Sequence, residues 1–219
     1  MNREELEKKL KMIGVPEYIY NLTGQGKKDE QLHIYVEDEN YINFFSGASD
    51  AQENYIRIKK ANNYYWVEEI HRDDIKSVFD SANIDQAKIV ASIVAVRLYS
   101  ERKRDEKLTE IREMAIDGRY DEIEKIIKAT FTDISFKIHE ENDEGLALLK
   151  QVTGLYLLKF KGKEILNGMS IARGFAVLYN YCKNVEFAKK WYMDNKEIIG
   201  TKITLDEVEK LFLFGQIIE

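Results

Sequence analysis

The residues that could carry chemistry are few and lie far apart in the sequence. His33, His71 and His139 each lack a second histidine, a cysteine or a paired carboxylate at the spacing of metal ligands. We expect surface or strand positions for all three. Cys182 is the only cysteine, which excludes an intrachain disulfide and a multi-cysteine metal site. Its apolar surroundings favour a small core residue over a nucleophile.

Paired carboxylates and glycine-rich loops give no catalytic pattern either. Glu68 and Glu69, like Asp73 and Asp74, are adjacent residues whose side chains point to opposite faces in a strand. The segment Gly24-Gln25-Gly26 lacks the strand-to-helix context of a phosphate-binding loop. We therefore expect no metal, no nucleotide or other cofactor, and no enzymatic activity.

What remains for function is the charged surface. The net charge of −6 argues against non-specific nucleic-acid binding through a basic surface and favours a basic or neutral partner. Two predicted loops have acidic tips where a cationic protein could be met by complementary charge. The alternative is that acidic loops only keep a protein soluble. The candidate partner-binding residues are Glu140, Glu141, Asp143, Glu144, Asp38 and Glu39.

The composition is that of an ordinary globular protein, with 44% hydrophobic and 33% charged residues in 219. The first residues lack a basic stretch followed by an apolar one, so we expect no secretion signal. No apolar run reaches the length of about eighteen residues that a membrane span needs. The expected location is the cytoplasm.

The element that organises the chain is predicted at residues 84–98, where ten of fifteen residues are apolar and the polar ones form no broad face. A helix of this composition is buried on most sides. Asn83 is its predicted N-cap, and Gln86 is placed to complete a capping box.

Two hairpins are predicted before this helix. Apolar residues alternate over residues 32–36, and YINFF follows a turn at Asp38-Glu39-Asn40. Residues 55–60 and 64–70 predict the second hairpin, because the asparagines of Ala61-Asn62-Asn63 tolerate the positive φ angles of tight turns. Its aromatic run YYW is interpreted as packing on both sheet faces, with a base-stacking platform as the alternative. Residues 2–13 predict a short amphipathic helix.

The second half is predicted to be mainly helical. Alternating apolar residues at 134–138 predict a strand that leads into the acidic loop 140–145. The segment LALLKQVTGLYLLKF fits a helix broken at Gly154 or a strand entered from a helix, and we favour a strand at residues 155–161. Helices are expected at residues 108–118, 119–129, 169–181 and 185–195, with a last helix opening at a Thr204/Glu207 capping box.

These elements predict an α+β fold: an antiparallel sheet with a buried helix, followed by a mainly helical second half with one or two further strands. We divide the chain into a module at 1–100 and a second at 101–219. No low-complexity linker separates them, so the second is expected to pack on the first.

Three motifs within residues 10–98 belong together: KMIGVPEYIYNLTG, a helix end followed by Gly-Val-Pro; the strand end YYWVEEI; and KSVFDSANIDQA, where Phe-Asp-Ser leads into the buried helix. This part of the chain resembles a family of small bacterial immunity proteins that neutralise polymorphic or contact-dependent toxins. The resemblance covers less than half of the chain.

The resemblance implies binding and not catalysis, since an immunity protein covers the active site or substrate path of a toxin encoded beside it. Many such toxins are basic nucleases, which an acidic inhibitor meets quickly because charge steers the encounter. Two alternatives stay open. One is a regulatory interaction domain with a different protein partner, and the other is an enzyme whose site the sequence spacing does not reveal.

Overall fold

A computed structural model describes residues 32–38, 41–46, 54–72, 74–99 and 105–217. These residues form an α+β fold, as predicted, with two β-sheets and five α-helices among them. The chain divides into two compact units, unit 1 with Met1–Arg102 and Tyr192–Glu219, and unit 2 with Lys103–Trp191. The division into a module at 1–100 and a second module at 101–219 packed on it stays a prediction. The predicted helix at residues 2–13 lies outside the described residues.

The sheet of unit 1 is an antiparallel meander in the order β1-β2-β3-β4-β5. Both predicted hairpins are confirmed, as β1–β2 and β3–β4. The sequence pattern does not predict β5, because Val78 is its only fully buried residue and a β-bulge shifts its register opposite Val67 and Glu68. The strands are β1 (Leu32–Asp38), β2 (Tyr41–Ser46), β3 (Asn54–Ala61), β4 (Tyr64–His71) and β5 (Asp74–Ser81).

The turn between β3 and β4 is a two-residue connection between Ala61 and Tyr64. Asn62 and Asn63 have φ angles of 52° and 65°. Positive φ at both central residues defines the hairpin turn whose twist matches that of the strands. The asparagines therefore fix the β3–β4 register, as the sequence indicates.

The predicted core helix is α1 (Ile84–Tyr99). It packs on β3, β4 and β5, and Val90 and Val94 have no solvent exposure. Asn83 caps it as predicted, since its side-chain oxygen accepts the backbone N–H of Asp85 at 2.9 Å. The helix is thus both nucleated and buried in the way its sequence predicts.

The predicted capping box at this helix is wrong in its second half. The Gln86 side chain does not reach back to the N–H of Asn83. That N–H donates to the Ser81 hydroxyl at 3.0 Å, which in turn donates to the Gln86 side-chain oxygen at 2.6 Å. The Gln86 amide nitrogen then donates to the Lys202 carbonyl at 2.8 Å. Gln86 therefore ties the helix start to the C-terminal part of unit 1.

Unit 2 contains a four-stranded sheet in the order β6-β7-β8-β9, parallel at β6–β7 and antiparallel elsewhere. The two predicted strands are confirmed as β6 and β8. The sequence reading misses β7 and β9, so this half has four strands where one or two were expected. The elements are α2 (Lys107–Ile116), α3 (Tyr120–Thr130), β6 (Phe136–Ile138), β7 (Leu146–Lys150), β8 (Tyr156–Phe160) and β9 (Lys163–Met169).

A single long helix, α4 (Ile171–Ile199), replaces the two helices predicted at 169–181 and 185–195. The polar residues at 183–184 include no glycine or proline, so nothing breaks the helix there. The last helix, α5 (Leu205–Phe214), opens with the predicted capping box between Thr204 and Glu207. Its Val208 and Leu211 are fully buried, so this face of the helix packs into the core.

Candidate functional site

The acidic loop, Glu140–Gly145, joins two parallel strands through an unusually short connection. Seven residues separate the end of β6 at Ile138 from the start of β7 at Leu146. Parallel strands ordinarily need a connection of about a dozen residues or more. The chain therefore has to fold back on itself, and it does so without a helix or strand to satisfy its backbone groups.

Asn142 supplies the missing hydrogen bonds from inside the loop. It is only 5% exposed, although carboxylates surround it in the sequence. Its amide nitrogen donates to the Leu146 carbonyl and to the Ser135 hydroxyl, both at 3.1 Å. Its side-chain oxygen accepts the backbone N–H of Glu144 at 3.2 Å. The loop is thus built around one buried amide.

Gly145 closes the loop against the strand before it. A Cβ at this position would lie 2.0 Å from the Ser135 carbonyl oxygen, a distance that no side chain can tolerate. The backbone N–H of Leu146 donates to the same Ser135 oxygen at 3.0 Å. Glycine is therefore required here by close backbone approach.

The four predicted carboxylates of this loop are all exposed and lie together. Glu141 is bonded to Lys159 at 2.6 Å, while Glu140 lies 3.9 Å from Lys137. Asp143 and Glu144 form no ion pair with any described residue. The charge that the loop offers to a partner therefore rests mainly on Asp143 and Glu144.

An aromatic cluster lies beside the start of the loop. His139 has a φ of 66°, a left-handed conformation that histidine adopts more readily than most residues. Its ring lies 6.0 Å from that of Tyr120 and 5.9 Å from that of Tyr156, between ring centroids. Burial raises the pKa of Tyr156, and Tyr120 beside it raises that pKa further. This packing fixes the point where the loop leaves β6.

The remaining two candidate contacts, Asp38 and Glu39, are far from the acidic loop in the sequence. Asp38 is the last residue of β1 and pairs with Tyr41 across the first hairpin turn, so it belongs to the other compact unit. Glu39 lies outside the described residues. The candidate site described for unit 2 is the acidic loop.

A second surface, which the sequence does not predict as a protein-binding site, lies on β3 and β4. Trp66 is 36% and Tyr64 47% exposed, and Lys59 is directly opposite Trp66 in the strand pairing. Arg57 and Glu68 on the same face are bonded at 2.8 and 2.6 Å. Strand alternation together with the hairpin register could have found this face, because both place these residues on one side.

The opposite face of the same sheet buries the other glutamate. Glu69 is 6% exposed and is bonded to Arg97 of α1 at 2.5 Å and to His71 at 2.6 Å. Adjacent Glu68 and Glu69 therefore point to opposite faces, as predicted, and each is held in an ion pair. These contacts join the sheet to the helix.

Cys182, the candidate nucleophile, is a core residue. Cys182 is fully buried, and burial raises the pKa of its thiol far above the usual range. A thiol that stays protonated is a poor nucleophile. Among the described residues, no cluster of histidine, cysteine, aspartate and glutamate could hold a metal ion, and no helix is long and apolar enough to cross a membrane.

The net charge is distributed unevenly between the two units. Unit 2, which carries the acidic loop, has sixteen Lys and Arg against fifteen Asp and Glu, whereas unit 1 has seventeen against twenty-four. The loop is thus a local acidic feature on a nearly neutral unit.

Comparisons of the chain with protein-family models, with curated proteins and with solved structures found no match.

Proposed function

We propose that this protein binds a cognate bacterial toxin encoded beside it and neutralises the toxin without catalysis, by covering its active site. Two things support the proposal. The first is the resemblance of residues 10–98 to immunity proteins. The second is the acidic loop, whose carboxylates are exposed on a backbone that the buried Asn142 holds through the Leu146 carbonyl and the Glu144 N–H.

The loop geometry is the observation that carries the proposal. A loop that only kept the protein soluble would need exposed charge but no fixed conformation. Here the charges stand on a backbone fixed by Asn142 and Gly145. A surface ordered before binding loses less conformational entropy when its partner arrives, which favours affinity.

The charge of the loop favours a cationic partner, such as a basic nuclease toxin. Asp143 and Glu144 are exposed and have no ion pair among the described residues, so their field reaches an approaching protein. Exposed charges of this kind act chiefly on the rate of encounter.

One observation favours the alternative, a regulatory interaction domain with a different protein partner. The face of β3 and β4 exposes Trp66 and Tyr64 beside the paired Arg57 and Glu68. Tryptophan, tyrosine and arginine dominate the binding energy of protein interfaces. Such a face suits a partner chosen by shape and apolar contact more than by charge.

Co-expression with the neighbouring gene product separates the two functions. If the protein neutralises a toxin, the product of the neighbouring gene alone should stop bacterial growth, and co-expression of this protein should restore it. The two proteins should also co-purify as a one-to-one complex in moderate salt. A neighbouring product that neither inhibits growth nor binds would remove the toxin reading and leave the regulatory domain.

A further inference from the structure

Asn167 and Gly168 form a β-bulge near the end of β9. Tyr156 pairs with Met169 and Leu158 with Leu166, so β9 has one residue more than β8 between the two pairs. Gly168 has a φ of 69°, the left-handed conformation in which glycine forms such bulges. The regular ladder is interrupted here, which leaves the backbone N–H of Gly168 available to a side chain.

The side chain that takes this N–H is that of the preceding residue. The backbone nitrogen of Gly168 donates to the side-chain oxygen of Asn167 at 2.7 Å. The amide nitrogen of Asn167 lies 3.4 Å from the Glu164 carboxylate. The carboxamide is therefore held with its carbonyl against the next backbone nitrogen and its amino group turned away from it.

This arrangement brings together the two groups that react when asparagine loses ammonia. Both residues are exposed, so water can reach them. Gly168 has no side chain to obstruct attack by its nitrogen. Asn167-Gly168 is also the one Asn-Gly pair in the sequence.

We propose that Asn167 is a site of spontaneous deamidation in the folded protein. The backbone nitrogen of Gly168 loses its proton and bonds to Cγ of Asn167. The bond from Cγ to Nδ2 breaks, and Nδ2 leaves with the proton as ammonia, which gives a five-membered cyclic imide. Water then opens the imide at one carbonyl to give aspartate, or at the other to give isoaspartate. One water is consumed and one ammonia is released, with no oxidation or reduction.

The product changes the strand that carries it. In the unreacted protein the amide nitrogen of Asn167 lies 3.4 Å from the Glu164 carboxylate. Deamidation to aspartate puts a second carboxylate beside Glu164, and the two like charges repel. Isoaspartate also adds a carbon to the main chain at residue 167, two residues before Met169, which is buried and pairs with Tyr156. Deamidation is therefore expected to weaken the β8–β9 pairing.

The test is incubation of the folded, full-length protein at mildly alkaline pH, followed by peptide mapping by mass spectrometry and by methyltransferase labelling of isoaspartate. We expect Asn167 to convert before any other described asparagine and to give both products. Asn142 is the internal control, because its amide is buried and bonded on both sides. An Asn167→Ser variant, which has no amide to lose, should acquire no label at this position.

Three results would overturn the proposal. One is an intact Asn167 in the folded protein after the denatured chain has converted. Another is conversion of a different described asparagine first. The third is isoaspartate label of undiminished amount in the Asn167→Ser variant.

Discussion

Replacing Asn142 by alanine removes only a few side-chain atoms but should strongly destabilise unit 2. The variant loses donors to Ser135 and Leu146 and the acceptor for the Glu144 N–H. A hydrogen bond contributes about 1 kcal/mol net, and a buried group left without a partner costs about 1–3 kcal/mol. We therefore expect a loss of about 2–4 kcal/mol, a large share of the 5–15 kcal/mol that stabilises a typical domain.

Denaturant unfolding followed by tryptophan fluorescence measures this loss. The chain has two tryptophans, Trp66 in unit 1 and Trp191 at the end of unit 2, so a Trp66→Phe background reports on Trp191 alone. Glu141→Ala is the matched control in the same loop. Glu141 is half exposed with one ion pair, and its removal should cost at most about 1 kcal/mol. Equal unfolding midpoints in denaturant for Asn142→Ala and the parent protein would refute the claim that Asn142 stabilises the loop.

Three further predictions concern the core, the buried ion pair and the response to acid. Val94→Asp places an unpaired carboxylate in the fully buried face of α1, which costs several kcal/mol; soluble protein with cooperative unfolding would contradict it. Arg97→Met leaves Glu69 buried without its guanidinium partner but still bonded to His71, so it should lower the free energy of unfolding by at most about 3–5 kcal/mol, the cost of breaking a buried ion pair. Its control is the double variant Arg97→Met/Glu69→Gln, which should lose less because the buried carboxylate is gone as well. Burial raises the pKa of Asp105, but hydrogen bonds from the Lys107 backbone, Lys183 and Tyr179 outweigh it and hold this pKa below its usual value. Stability from Asp105 is therefore present above the pKa of the unfolded chain and is lost as the pH falls through the folded one, so Asp105→Asn should flatten the acid limb of a stability curve.

The elements that sequence reasoning predicts correctly are those specified by a local pattern. The core helix has a long apolar run and a capping asparagine at Asn83, and the β3–β4 hairpin has two asparagines that accept positive φ. The last helix has both halves of its capping box, Thr204 and Glu207, within four residues. In each case the physical cause lies within the segment itself.

The elements that it misses depend on contacts with residues outside the segment itself. β5 buries one residue and owes its place to pairing with β4, and β9 is interrupted by a bulge. Gln86 matches the capping pattern, but Ser81 occupies the N–H that the pattern assigns to it. The residue pattern within each segment does not distinguish these outcomes.

The candidate site shows the same division. The exposure of Glu140, Glu141, Asp143 and Glu144 follows from their charge. The role of Asn142 cannot be predicted from its residue type, because an asparagine among acidic residues is typical of any polar loop. Its burial follows from the short parallel connection between β6 and β7, which is a property of the sheet.

The most direct test of the proposed function is the association rate with the neighbouring toxin domain at low salt. The informative variant reverses Asp143 and Glu144 to lysine, because these two carboxylates have no ion pair among the described residues. Its matched control reverses the exposed Glu110 and Glu113 of α2, which changes the net charge by the same amount.

We expect the Asp143→Lys/Glu144→Lys protein to associate more slowly than the Glu110→Lys/Glu113→Lys protein, with dissociation changed little, because exposed charges act on the encounter. Equal association rates for the two variants and the parent would contradict the account, since the acidic loop would then have no part in meeting the toxin.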